Sequence, residues 1–463
     1  MCLHYRVGVA LAFAQQTENA FFFFSRKPSS PLLEALTSAS AMSSTVAPCC
    51  ASSNPGRPHV RASAARCAQV RSYKYTSPED SLFESLILNR FWAFAVRAFV
   101  PEWVAPNLMT FVGFLHALAA YALLLAHSPA LDGSAPPWVY VACAACLFVY
   151  QTMDGMDGKQ ARRVGAGSPL GEVVDHGADA IASCVYGVFL VDVFGIGWDF
   201  KHAPSLGRWP AVFLITYSRA AFALDSVAAA FTGRLPVARL DAQELQVVIQ
   251  LTCLWNAAHG VGYWHRLVKF GALGLDDPMP LGVMVVLLGA GAGVYARLKS
   301  AGATLSQKTS PHLPAYSRGP AIIYARVLSF ELVLTAAIAH CANFPLCHVV
   351  TTVAFGECMV RLMHLRVADP EFNPLSSAYC SAYVALAACV PAAAGGGDAS
   401  GNGNGNGWSE GGLAATCAAL ILAVMWEYAA LFSTLAAQLT GCLGLPANPF
   451  VLADASARRE KRE

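Results

Sequence analysis

The sequence predicts an all-α integral membrane protein with about ten transmembrane helices and an N-terminal amphipathic helix lying in the membrane interface. Two observations carry this. The 463 residues are 56% hydrophobic and only 13% charged, with a mean hydropathy of +0.46, whereas a soluble domain carries roughly 25% charged residues. Apolar runs near 20 residues long recur from about residue 107 to about residue 438, and a helix needs about 20 such residues to cross the hydrocarbon core. The short alternating segments of a membrane β-barrel are not seen.

Residues 1–70 stand apart. They hold six Lys and Arg against two acids, Glu18 and Glu34, and are rich in Ser, Ala and Pro. This composition suits a disordered or targeting extension. Residues 71–106 read as the interfacial segment. Ser77 is placed as an N-cap, with Pro78 at the first helical position. Leu82, Phe83, Leu86, Ile87, Phe91 and Phe94 then recur at spacings of three and four. The transmembrane domain, 107–440, takes predicted spans at 107–126, 137–155, 171–195, 209–231, 243–260, 279–297, 319–343, 345–363, 375–394 and 412–438. Residues 395–407, GGGDASGNGNGNG, read as a low-complexity loop, and 441–463 as a cytosolic tail.

The net charge of +2 is too small to point to a nucleic-acid partner. Its placement is more informative. If residues 71–106 are cytosolic, the next loop, 127–136, lies on the other side and has no Lys or Arg, while Lys159, Arg162 and Arg163 return to the cytosol. Later loops repeat the bias through Arg234, Arg239, Arg297, Lys299, Arg361 and Arg366, with mainly Lys201, Arg208, Arg266 and Lys269 opposite. This follows the positive-inside rule. Of the fifteen Cys, Cys143 and Cys146 form a C-x-x-C inside an apolar run with no His or second pair, so they read as core side chains.

Against this apolar background, MDGMDGKQARRVGAGSPLGEVVDHGADA, residues 153–180, concentrates charge. Asp154 and Asp157 are three apart and share a helical face. Gly171, Asp175 and Asp179 step by four and also share one. Two helices joined by so short a loop are antiparallel neighbours, so the four carboxylates converge. Acids at a membrane boundary are costly and mark function. Oxygen-only donors suit Mg2+ or Mn2+, and two such ions about 4 Å apart form a clamp for phosphoryl transfer.

The string Asp154-x-x-Asp157-Gly158-x-x-Ala161-Arg162, eight residues, Gly171-x-x-x-Asp175-x-x-x-Asp179 resembles the CDP-alcohol phosphotransferase signature at every position. His176, directly after the third Asp, is similar to the eukaryotic choline/ethanolamine phosphotransferase branch, as are YKY at 73–75, APN at 105–107 and TGRLPVARLDAQELQ from Thr232. The resemblance covers about residues 73–440 and fades after 360. It implies transfer of phosphocholine or phosphoethanolamine from CDP-choline or CDP-ethanolamine to diacylglycerol, giving phosphatidylcholine or phosphatidylethanolamine and CMP. It further implies that Asp154, Asp157, Asp175 and Asp179 hold two Mg2+ or Mn2+ ions. Gly158 and Ala161 leave room for the nucleotide, Arg162 faces the donor phosphates, and Asn107 contacts the nucleotide. As an N-cap, Asn107 has an equally good structural reading.

His176 is the candidate general base, since an imidazole can take a proton from an alcohol near neutral pH. Glu172, four residues earlier, is placed to accept from the ring and fix its tautomer. The resemblance also implies a homodimer in an endoplasmic reticulum or Golgi membrane, with a cytosolic active site and lateral access for the lipid. One rival reading is a CDP-diacylglycerol-dependent phosphatidyltransferase acting on inositol or another alcohol; His176 and the chain's length disfavour it. A second is a transporter, which would spread its acids along a path across the bilayer. Arg219, Asp225, Glu331 and Glu427 read as structural charges that need partners on other helices. Choline and ethanolamine are not distinguished.

Overall fold

The computed structural model describes residues 67, 70–71, 80–199, 207–233, 235–236, 241–270, 275–306, 319–340, 344–367, 433–443 and 450. The chain divides into two units, Met1–Arg61 and Ala62–Glu463, and every described residue belongs to the second. The N-terminal extension up to residue 66, the YKY string, the Ser77–Pro78 cap, Glu427, the 395–407 loop and the span at 375–394 lie outside the described residues.

A π-helical turn at Glu84–Leu88 leads into α1, Asn89–Phe99. The main helices follow as α2 Pro106–His127, α3 Pro137–Val164, α4 Pro169–Val193, α5 Trp209–Thr232 and α6 Ala242–His259. A small antiparallel hairpin comes next, with β1 Leu267–Phe270 and β2 Leu275–Pro280 in the register Leu267↔Pro280 and Val268↔Met279. Then come α7 Leu281–Leu305, α8 Gly319–His340 and α9 Phe344–Val367, and a last helical segment at 433–443. The fold is the predicted helical one. The hairpin occupies what the sequence read as a plain connection between two spans.

Local chemistry explains the boundaries. Pro106, Pro137, Pro169 and Pro210 stand in the first turns of α2 to α5, where a missing N–H costs nothing. Helices α3 and α5 end on Gly165 and Gly233 in the left-handed region, at φ 68 and 74. Asp241 and Glu244 make a full capping box on α6.

Among the described residues, six helices are long and apolar enough to cross a membrane: α2, α3, α4, α5, α7 and Ala321–Ala339 within α8. This is the pattern of a multi-pass membrane protein. Two more predicted spans are helices at the expected places, α6 and α9, but they carry polar side chains. Those of α6 are used inside the protein. Gln250 Nε2 donates to Gln151 Oε1 on α3 at 2.9 Å, and Asn256 Nδ2 donates to the Val193 carbonyl at 2.7 Å.

The interfacial segment has two apolar faces. Leu88, Trp92, Ala95 and Val96 are buried with Met109 of α2 and Met156 of α3. Leu82, Leu86, Ile87, Phe91 and Phe94 are exposed. The apolar side chains predicted to share the outer face are therefore exposed except Phe83, which packs on the inner cluster. Cys67 and Val70 meet the 433–443 segment at the start of α4. Cys67 is disulfide-bonded to Cys442, and Val70, Leu435 and Leu439 pack with Leu170 and Val173 of α4 and Val360 and Met363 of α9.

Candidate active site

Helix α3 runs to Val164, well past the end at residue 155 read from hydrophobicity. Asp154 and Asp157 thus lie within a continuous helix. The extension follows from good helix formers in KQARRV and from the Gly165 stop. Four residues, Gly165 to Ser168, turn the chain, and Ser168 caps α4 by accepting from the Gly171 N–H at 3.2 Å. The two motif halves are thereby set side by side.

The four carboxylates do converge. Ligand atoms of Asp154, Asp157 and Asp175 lie within 4.8 Å of one another, and so do those of Asp175, His176 and Asp179. Asp175 belongs to both groups. Two unit charges 4.8 Å apart repel by roughly 3–4 kcal/mol at an effective dielectric near 20. The cluster therefore favours bound cations, and its carboxylate oxygens are the donors that hard divalent ions take. Asp175 Oδ1 is also buried without a hydrogen-bond partner, which leaves its lone pairs available to a cation.

Neighbouring side chains orient the acids. Tyr150 O–H donates to Asp179 Oδ1 at 2.6 Å, and Thr110 O–H donates to Asp157 Oδ2. Neither residue was singled out from the sequence. Both carried a usable signal: Thr110 is one turn beyond Asn107, and Tyr150 is four residues before Asp154.

The remaining candidates fall around this core. Asn107 Oδ1 lies 3.4 Å from where a Cβ on Gly171 would stand, so the glycine permits a close approach between α2 and α4. Among the described residues, a Cβ on Gly158 would meet only Arg162 Nη1, at 3.7 Å. Ala161 is half-buried and Arg162 exposed. The opposite side of α3 holds the interfacial helix. Trp92 of α1 lies flat against Gly155, where any Cβ would overlap the ring. Arg163 Nη1 donates to the carbonyls of Val96 and Val100 at 2.9 and 2.7 Å, and Lys159 Nζ donates to Asn89 Oδ1 at 2.5 Å.

His176 is buried at 6% exposure, with Nδ1 3.6 Å from Asp175 Oδ2 and without a hydrogen bond. Glu172 is buried one turn away at 7% exposure, and neither of its oxygens has a hydrogen-bond partner. The expected Glu172-to-imidazole hydrogen bond is thus not formed in this structure. Glu172 Oε1 instead lies 2.8 Å from Arg366 Nη1 of α9, a close charge contact without hydrogen-bond alignment. Nothing in the spacing of the motif pointed to Arg366; only the packing of α9 on α4 brings it in.

Of the four charges read as structural, the three that are described, Arg219, Asp225 and Glu331, have partners on other helices. Arg219 pairs with Glu331, and Asp225 with Arg297, which also reaches Asp241 at 3.3 Å. Cys143 and Cys146 are free thiols, the first buried and the second half-buried.

Residues 103–271 match the family model described as CDP-alcohol phosphatidyltransferase. Among curated proteins, the chain is 41% identical over 131 residues to "Uncharacterized CDP-alcohol phosphatidyltransferase class-I family protein 3" of Dictyostelium discoideum, covering 28% of this chain and 33% of that protein. It is 32% identical over 224 residues to mouse "Cholinephosphotransferase 1", covering 48% and 53%. It is 44% identical over 115 residues to "Choline/ethanolaminephosphotransferase 1" of Arabidopsis thaliana, covering 25% and 29%. The chain spans between 33% and 56% of the length of the first three curated relatives it matches.

Proposed function

We propose, from the match of residues 103–271 to the CDP-alcohol phosphatidyltransferase family model, that the chain is a choline/ethanolamine phosphotransferase. It moves phosphocholine or phosphoethanolamine from a CDP-alcohol to diacylglycerol and releases CMP. The observation that carries the reading is the convergence of Asp154, Asp157, Asp175 and Asp179 from two adjacent helices, with His176 beside them. Relatives bearing the choline and ethanolamine names support the head group.

Asp154, Asp157, Asp175 and Asp179 would hold two Mg2+ or Mn2+ ions. Such ions, when bound, neutralise the pyrophosphate and the departing oxygen. Tyr150 and Thr110 fix the carboxylates of Asp179 and Asp157. Asn107, Gly158, Ala161 and Arg162 form the donor side, where Arg162 offers a forked cation to phosphate. The hydroxyl oxygen of diacylglycerol attacks the β-phosphorus while His176 takes its proton. The bond from that phosphorus to the bridging oxygen breaks, and CMP leaves with the electron pair. Glu172, one turn from His176, accepts Nδ1–H once the ring turns toward it, leaving Nε2 as the base.

The same reading places the chain in a bilayer of the endoplasmic reticulum or Golgi, as a homodimer, with the site open to the cytosol. The exposed apolar side of the interfacial segment supports the bilayer, and the Lys and Arg distribution supports the orientation. The test is an assay of full-length protein in membranes from cells without their own activity. These are given labelled CDP-choline or CDP-ethanolamine with diacylglycerol, or CDP-diacylglycerol with inositol. Product from the last pair alone would replace this reading with the phosphatidyltransferase one.

A further inference from the structure

We infer that Arg366 is a positioning residue for Glu172, supplied by a helix outside the family-matched region 103–271. The inference rests on the reading above, in which Glu172 serves His176.

Arg366 lies in the last turn of α9 and is only 5% exposed. Its Nη1 is 2.8 Å from Glu172 Oε1, and its Nη2 donates to the Gly233 carbonyl, the C-cap of α5, at 3.4 Å. Val360, Met363 and Val367 of α9 pack against Leu170 and Val173 of α4, so both backbones are held on either side of the contact. Arg366 thus sets a cation directly against the buried Glu172 side chain and fixes its position between α4 and α9.

The geometry of the contact matters as much as its charge. Arg366 approaches Glu172 closely but is not aligned as a hydrogen-bond donor, so both carboxylate oxygens keep their acceptor capacity. His176 Nδ1, four residues along the same helix, is the buried ring nitrogen left without a hydrogen bond. A carboxylate that is paired with a cation, immobilised and still able to accept is what an orienting acid requires. Arg366 supplies the first two of these without consuming the third. A purely structural alternative is that Arg366 only clamps α4, α5 and α9 together.

The two are separated by full-length protein purified with lipid, as wild type, Glu172→Gln, Arg366→Met, Arg366→Lys and the double variant Glu172→Gln/Arg366→Met. We expect Arg366→Met to lower kcat roughly tenfold, the scale of lost outer-shell support, with donor KM within about twofold. The double variant should be no slower than Glu172→Gln alone to within about twofold, because the arginine acts through the acid. Arg366→Lys should recover part of the loss. Wild-type kcat in Arg366→Met, or losses that multiply in the double variant, would overturn the inference. If Arg366→Met does not fold, the same cycle with Arg366→Lys decides. If wild type turns over no CDP-alcohol, the functional reading fails, and the pair is judged by melting temperature alone: additive shifts for Glu172→Gln and Arg366→Met would overturn it.

Discussion

Arg219 Nε donates to Glu331 Oε2 at 2.7 Å inside the bundle, where the two side chains are 0% and 4% exposed. Removing one partner of such a pair leaves the other as an uncompensated buried charge, at a cost of about 3–5 kcal/mol. Arg219→Met should therefore lower the melting temperature in detergent sharply, or prevent accumulation of folded protein. The double variant Arg219→Met/Glu331→Leu should recover most of the loss. A double variant no more stable than the single would mean that the pair is not what the bundle depends on at this point.

The acidic cluster predicts opposite effects on stability and activity. Asp157→Asn removes charge while keeping shape, so in chelator it should melt at or above the wild-type temperature. It should nevertheless lose nearly all turnover. Binding to the native state alone stabilises by mass action. Added Mg2+ should therefore raise the wild-type melting temperature and raise that of Asp157→Asn much less. Equal shifts in the two proteins would place the binding of Mg2+ elsewhere.

His176→Ala should reduce kcat by roughly 10²–10⁴-fold, the usual loss for a general acid–base group. Affinity for the CDP-alcohol, measured by calorimetry, should hardly change, because the acids and Arg162 hold the donor. Collapse of donor affinity with survival of kcat at saturation would make His176 a binding residue.

The orientation of the site is testable at Ala166, in the turn between α3 and α4. A cysteine placed there should react with an impermeant thiol reagent in sealed vesicles whose cytosolic face is outward, against a background of native cysteines measured in parallel. Labelling only after the vesicles are opened would invert the topology. The Cys67–Cys442 disulfide makes this worth measuring, since such bonds are rare where thiols are kept reduced.

The helical class, the convergence of the acids and the need of Arg219 and Asp225 for distant partners were all legible in the sequence, because each follows from a local regularity. A run of apolar residues, a spacing of three or four, or a charge inside such a run suffices. The end of α3 was misjudged because hydrophobicity reports where a helix leaves the membrane, whereas helicity in KQARRV continues to the Gly165 stop. The second apolar face of α1, with Trp92 seated on Gly155, needed the partner surface of α3 to be known. Arg366 lay furthest out of reach. It is 194 residues from Glu172 in the chain, and only the packing of α9 on α4 joins them.

The most direct test of the central claim follows the β-phosphorus itself. Purified full-length protein is given CDP-choline or CDP-ethanolamine labelled with ³²P at the β position, together with diacylglycerol and Mg2+, and lipid and nucleotide products are separated. The account predicts label in phosphatidylcholine or phosphatidylethanolamine, unlabelled CMP in equal amount, and neither product from Asp157→Asn. Label retained on a nucleotide product, or labelled lipid formed at the wild-type rate by Asp157→Asn, would contradict it.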